Sequence, residues 1–108
     1  MSNYVQIVTK IETRNDEALD KNIYVFDDAR DIAQQKFDKL TNEAIVNLSY
    51  DYLEDIDDPE EQEESYLIER LEKLNHYVVR HDDYFYFNHK DCIREIEVDL
   101  DGYFARKY

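Results

Sequence analysis

Between Tyr4 and Glu12 the side chains alternate with the period of a half-buried strand: Val5, Ile7, Thr9 and Ile11 share one face, while Gln6, Lys10 and Glu12 lie mostly opposite. Asn22 to Phe26 predicts a second short strand, with the polar stretch Thr13 to Lys21 joining the two as a hairpin loop. The period then changes. Ala29, Ala33, Phe37, Leu40, Ala44 and Leu48 fall within one stripe of roughly 100° on a helix. Asp27 and Asp28 are placed to cap its start, and Asp31 adds negative charge to its first turn, where the helix dipole favours it. The stripe stays in phase across Thr41-Asn42, which predicts one continuous helix to about Leu48. Val46, Leu48, Tyr50 and Tyr52 also alternate with Asn47, Ser49 and Asp51 as a strand would, so 45–53 carries a rival assignment; the helix is preferred.

Asp57 or Asp58 followed by Pro59 predicts a second helix start, because proline is tolerated at the first helical position. Leu67, Ile68, Leu71 and Leu74 supply that helix with an apolar stripe. Beyond it, Tyr77 to Arg80, Tyr84 to Asn88 and Cys92 to Leu100 predict three strands in meander order, the last with Ile96, Val98 and Leu100 inside and Glu95, Glu97 and Asp99 outside. The expectation is an α+β fold of β-β-α-α-β-β-β order, an antiparallel sheet with two helices packed on one face.

Composition sets limits on this picture. The 108 residues predict a single domain over 1–108, able to bury about two thirds of its unfolded surface. High net charge favours disorder, but ten tyrosines and five phenylalanines offer enough area to fold. With 27 acidic against 13 basic residues the net charge is −14. Such a surface repels phosphates, so direct binding to nucleic acid or an anionic membrane is not expected, whereas basic proteins are attracted. Cys92 is the single cysteine, which excludes an internal disulfide and a thiolate metal cluster; it reads as a small buried apolar residue. Gly102 and Pro59 are the single glycine and proline, so phosphate-cradling glycine loops are absent. The N-terminus lacks a signal-peptide pattern and no apolar run approaches bilayer length, which predicts a cytoplasmic protein.

The acidity is concentrated. Asp51, Glu54, Asp55, Asp57, Asp58, Glu60, Glu61, Glu63 and Glu64 place nine acids in fourteen residues with no base among them. If 57–64 is helical, six acids occupy roughly 10 Å of axis, a linear charge density close to that of duplex DNA. Helical phase puts Glu60, Glu61 and Glu64 on the same stripe as Ile68 and Leu71, where unpaired carboxylates cannot be buried. Either the helix begins near Glu64, or its first turns project into solvent. Tyr50, Tyr52 and Tyr66 flank the run, and tyrosine is a frequent interface anchor. The predicted partner-binding set is therefore Tyr50, Asp51, Tyr52 and the acids from Glu54 to Glu64.

Other features carry less. Tyr84-Phe85-Tyr86-Phe87 puts aromatics on both faces of a strand. His76, His81 and His89 near Asp82, Asp83 and Asp91 suggest a metal site or acid–base pair, but lack metalloprotease spacing and read better as surface residues. Asp99-Leu100-Asp101-Gly102 echoes a calcium loop that the remaining chain is too short to complete, and reads as a turn. No nucleophile–base arrangement is legible. In size, charge and tyrosine content the chain is similar to small acidic phage-encoded decoys such as anti-CRISPR and anti-restriction proteins, with no motif beneath that similarity. It implies an inhibitor in a bacterial host cytoplasm that needs no cofactor and occupies the basic nucleic-acid groove of a nuclease or nucleic-acid-binding protein. The alternatives are an immunity-type protein neutralising a basic toxin, a small metal-dependent enzyme using 76–91, and an assembly protein that oligomerises through the aromatic strand.

Overall fold

The computed structural model describes residues 3–15, 17–27, 29–91 and 93–105. Strand β1 (Asn3–Arg14) turns back into β2 (Glu17–Asp27) as an antiparallel hairpin, so most of the loop expected over Thr13–Lys21 is strand. Asn15 takes the left-handed backbone of the turn at φ 50°, a conformation asparagine tolerates better than most residues. The polar positions from Glu17 onward extend because β2 is a sheet edge, where side chains meet solvent and need not alternate.

Strands β3 (Tyr77–Arg80), β4 (Tyr84–Asn88) and β5 (Arg94–Ala105) complete a five-stranded antiparallel sheet in the order β2-β1-β5-β4-β3. β5 is central and runs beyond Leu100, because β1 pairs with it as far as Ala105 opposite Asn3. Asp99 to Gly102 is therefore strand, not the expected turn. Gly102 has a packing reason: a Cβ there would overlap the hydroxyl of Tyr4, so the glycine gives that ring room beside β5.

Register decides which face of β1 is inside. Ile96, Val98 and Leu100 belong to the core and stand opposite Glu12, Lys10 and Val8. Cross-strand partners share a face, so Gln6 and Val8 are buried while Val5, Ile7, Thr9 and Ile11 lie on the face away from the helices. Period two marks two faces without saying which is covered; the stronger apolar sets of β4 and β5 settle it.

Helix α1 (Arg30–Tyr52) buries the predicted Ala33, Phe37, Leu40, Ala44 and Leu48, together with Thr41, Ile45, Val46 and Ser49. Continuing to Tyr52, it excludes the strand alternative for 45–53. Its cap position is held by Ala29 without a side-chain hydrogen bond, in place of the expected aspartates; Asp28 lies outside the described residues. Helix α2 (Glu64–Lys73) buries Leu67 and Leu71, with Ile68 packed alongside, while Leu74 is exposed just past its end. Phe37, Ile45, Leu48, Leu67 and Leu71 meet Val8, Phe85, Phe87 and Val98 in one core between the two helices and one sheet face.

Candidate functional site

The acidic run occupies the link between α1 and α2, and it is held, not loose. Leu53 is buried at the end of α1 and its N–H donates to the Ser49 carbonyl at 2.9 Å. Ile56 packs against the core, and Pro59 is buried at the head of a single 3₁₀ turn, Pro59–Glu61. Asp58 enters this turn in a left-handed conformation at φ 51°, and its carbonyl accepts from the Glu61 N–H at 3.0 Å. The Gln62 amide donates to the Asp57 carbonyl at 3.2 Å. Proline does open a helical segment as predicted, but α2 begins only at Glu64. The charge density imagined for a helical 57–64 therefore does not hold, for the phase reason already given: a continuous helix would aim Glu60 and Glu61 at the core.

Three arginines from three elements enter the run. Arg94 of β5 bonds Asp51 through Nη1 at 2.7 Å and Glu12 through Nε at 2.9 Å. Burial works against its charge, yet the bonds to Asp51 and Tyr52 and the nearby Glu12 carry its pKa above the ordinary guanidinium value. Arg70 of α2 bonds Asp55 at 2.5 Å and the Tyr66 hydroxyl at 3.0 Å. Arg80 of β3 bonds Glu64 at 2.6 Å, reaches Asp38 at 3.6 Å, and stands over the Phe37 ring at 5.3 Å. Glu64 also accepts from the Asn42 amide at 3.3 Å. Glu64 was expected to be exposed and is instead half-buried and paired, since Arg80 removes the penalty that forbade its burial.

The predicted set therefore divides. Asp51, Asp55 and Glu64 are ion-paired, and Tyr52 is half-buried with its ring 4.9 Å from His76, 5.2 Å from His89 and 6.0 Å from Phe87. Glu54, Asp57, Asp58, Glu60, Glu61 and Glu63 are exposed and make no ion pair among the described residues. Beside them Tyr50 is 56% exposed; partial desolvation and the charges of Glu60 and Asp58 raise its pKa.

The histidines depart from expectation. His76 and His89 are buried with ring centroids 4.6 Å apart, and only His81 is at the surface. The cover comes from Tyr52 and Phe87, which sequence neighbours could not announce. The His76 Nδ1 accepts from the Lys90 N–H at 3.2 Å, and the His89 Nδ1 accepts from the Asp91 N–H at 3.1 Å. For His76, an accepting Nδ1 goes with a neutral ring protonated at Nε2. Burial lowers the His76 pKa, with help from His89 and Lys90 and against Asp91. Among the described residues no group of histidine, cysteine, aspartate or glutamate is arranged to hold a metal ion; Cys92 lies outside them.

A second acidic surface escaped the sequence reading as a site. Glu95, Glu97, Asp99 and Asp101 line the open face of central β5, with Tyr84 and Tyr86 on one side and Val5, Ile7 and Ile11 on the other. The Tyr84 hydroxyl donates to Glu97 at 3.1 Å; burial and that carboxylate push its pKa up to about 12. Burial, a hydrogen bond that the protonated Asp99 donates to the Asp101 carboxylate, and the charges of Asp101, Glu97 and Asp83 raise Asp99 to about 6. The alternation of acids along β5 had already set them on the outer face; what sequence could not show was which side chains of β4 and β1 would flank them. At the end of the sheet, a groove of about 910 Å³ is lined by Tyr4, Arg30, Asp82, Asp83 and the buried Gln6, whose Oε1 finds no partner among the described residues.

Fold and surface together define an α+β protein that displays carboxylates on a pinned interhelical segment. No family model matches the chain, and no curated protein or solved structure matches it. No helix among the described residues is long and apolar enough to cross a membrane.

Proposed function

We propose that this protein is a binding inhibitor that engages a basic protein through residues 54–63, competing there with nucleic-acid phosphates. The observation that supports it is the set of six exposed carboxylates without ion pairs among the described residues, carried on backbone anchored by Ile56, Pro59 and the three arginine contacts. Pre-organised charge loses little entropy on binding. It also steers a basic partner towards the site. The chemistry suits a nuclease or nucleic-acid-binding groove in a host cytoplasm, and a basic toxin presents the same kind of surface. Enzymatic use of 76–91 has less support, because both buried imidazoles already spend Nδ1 on backbone N–H groups.

Affinity capture on the immobilised chain, in parallel with a Glu60→Lys/Glu61→Lys variant, tests the proposal. The expected partner is released by raised salt, displaced by duplex or single-stranded nucleic acid, and lost by the variant. A partner retained equally by the variant and at high salt overturns the reading.

A further inference from the structure

The sheet has two edges, and they are unlike. β3 is four residues long, whereas β2 offers eleven residues of edge backbone. Natural edges are guarded by short strands, proline, bulges or charged side chains, and the charges over 21–27, Lys21 and Asp27, stand only at the two ends of that stretch. Over Lys21–Asp27, β2 has no proline or glycine, and the register shift of the hairpin falls outside it, at Glu12/Thr13. On its open face Ile23 and Val25 are 55% and 60% exposed.

We propose that two copies pair antiparallel along β2, with Tyr24 opposite its own mate on the two-fold axis, to form a continuous ten-stranded sheet. Directly opposed residues must share a face, and a two-fold requires that one residue meet itself. Only a few registers satisfy both. With Tyr24 on the axis, Lys21 faces the mate's Asp27 and Ile23 faces the mate's Val25, and symmetry repeats each pair. Centring on Ile23 sets Lys21 against Val25; centring on Val25 sets Ile23 against Asp27; centring on Asn22 sets Lys21 against Ile23. Within the regular stretch Lys21–Asp27, clear of the register shift between Asp20 and Ala18, the Tyr24 register alone matches charge with charge and aliphatic with aliphatic. Helix α1 leaves an apolar side chain on the same flank: Lys36 stands 4.3 Å over the Tyr24 ring, and Ile32, one turn earlier on that side, is 57% exposed. Stacking of two open sheet faces is the rival arrangement, but it would set the carboxylates of one central β5 against those of the other.

Sedimentation equilibrium of the full chain over a range of concentrations tests this. Wild type is expected to reach twice its 13.1 kDa mass. Lys21→Asp and Asp27→Lys should each weaken the dimer about tenfold or more, because like charges then oppose each other twice across the axis. The combined swap should restore affinity to within about threefold, since the pairs re-form with reversed sign. A chain monomeric up to its solubility limit overturns the proposal. So does a dimer indifferent to the single reversals, or one that the swap fails to restore. Amide exchange over 21–27 gives an independent measure that needs no variant: it should slow as concentration rises, and concentration-independent exchange also overturns the pairing.

Discussion

Replacing Arg94 with methionine tests whether one side chain joins the fold to the acidic segment. The Arg94 side chain is 10% exposed, its partner Glu12 20% and its partner Asp51 49%. Removing one member of a buried pair costs about 3–5 kcal/mol, because the survivor is left charged in a poor solvent. Glu12 takes most of that penalty, whereas Asp51 can recover water, so Arg94→Met should cost about 3 kcal/mol. In a chain of this length that corresponds to a fall in Tm on the order of 10–20 °C. Methionine keeps the stem that packs near Tyr52, whose ring centroid lies 5.9 Å from the guanidinium carbon, so the loss is electrostatic more than a cavity. Urea denaturation of Arg94→Met, Glu12→Gln and the double variant separates the two. The double variant leaves only the half-exposed Asp51 without its guanidinium and should be about 1–2 kcal/mol more stable than the sum of single costs implies. Limited proteolysis of Arg94→Met should also cut sooner within 51–63, because Asp51 has lost its anchor. Additive costs, or a single variant within about 0.5 kcal/mol of wild type, would refute the reasoning.

Charge reversal at Glu60 and Glu61 should leave urea stability within about 0.5 kcal/mol of wild type, while association with the basic partner slows markedly in stopped-flow at low salt. The pH profile of stability should carry two opposed slopes. Asp99, raised to about 6 in the fold, lends stability below about pH 4 that is lost as pH rises through 6. His76, lowered from its ordinary value, does the reverse, and stability falls as pH drops below about 6.5. Asp99→Asn should therefore gain about 1 kcal/mol at pH 7, after allowance for solvent screening, and nothing at pH 4; an equal effect at both values contradicts the assignment. Gly102→Ala should cost about 1 kcal/mol by displacing the Tyr4 ring, and a Tyr4→Ala background should abolish most of that cost in thermal melts.

Phe37, Leu48, Leu67 and Leu71 were legible because helical spacing alone puts them on one stripe, and burial follows from that. The element order was legible for the same reason: each segment carried its own period. The covered face of β1 was not, since it depends on pairing with β5 from the far end of the chain. Nothing in the sequence singles out Arg70, Arg80 and Arg94, and only tertiary folding brings them to Asp55, Glu64 and Asp51. His76 and His89 misled through their aspartate neighbours, because their cover is contributed by Tyr52 of another element. The exposed acids of 54–63 were found by charge count, and of the two outcomes the phase argument left open, α2 takes the start at Glu64.

The arginine anchors also bear on how this chain can change in descent. Asp51, Asp55 and Glu64 are each fitted in reach to a guanidinium, so even exchanging aspartate for glutamate alters a bond that the architecture uses. Glu54, Asp57, Asp58, Glu60, Glu61 and Glu63 meet no such requirement among the described residues. Five of those positions are free to drift in side-chain length and placement, Asp58 being tied to its left-handed backbone, while Asp55 among them and Asp51 and Glu64 at either end are held still. A lineage carrying this fold could follow a partner whose basic surface shifts, altering the pattern it presents without renegotiating the scaffold beneath.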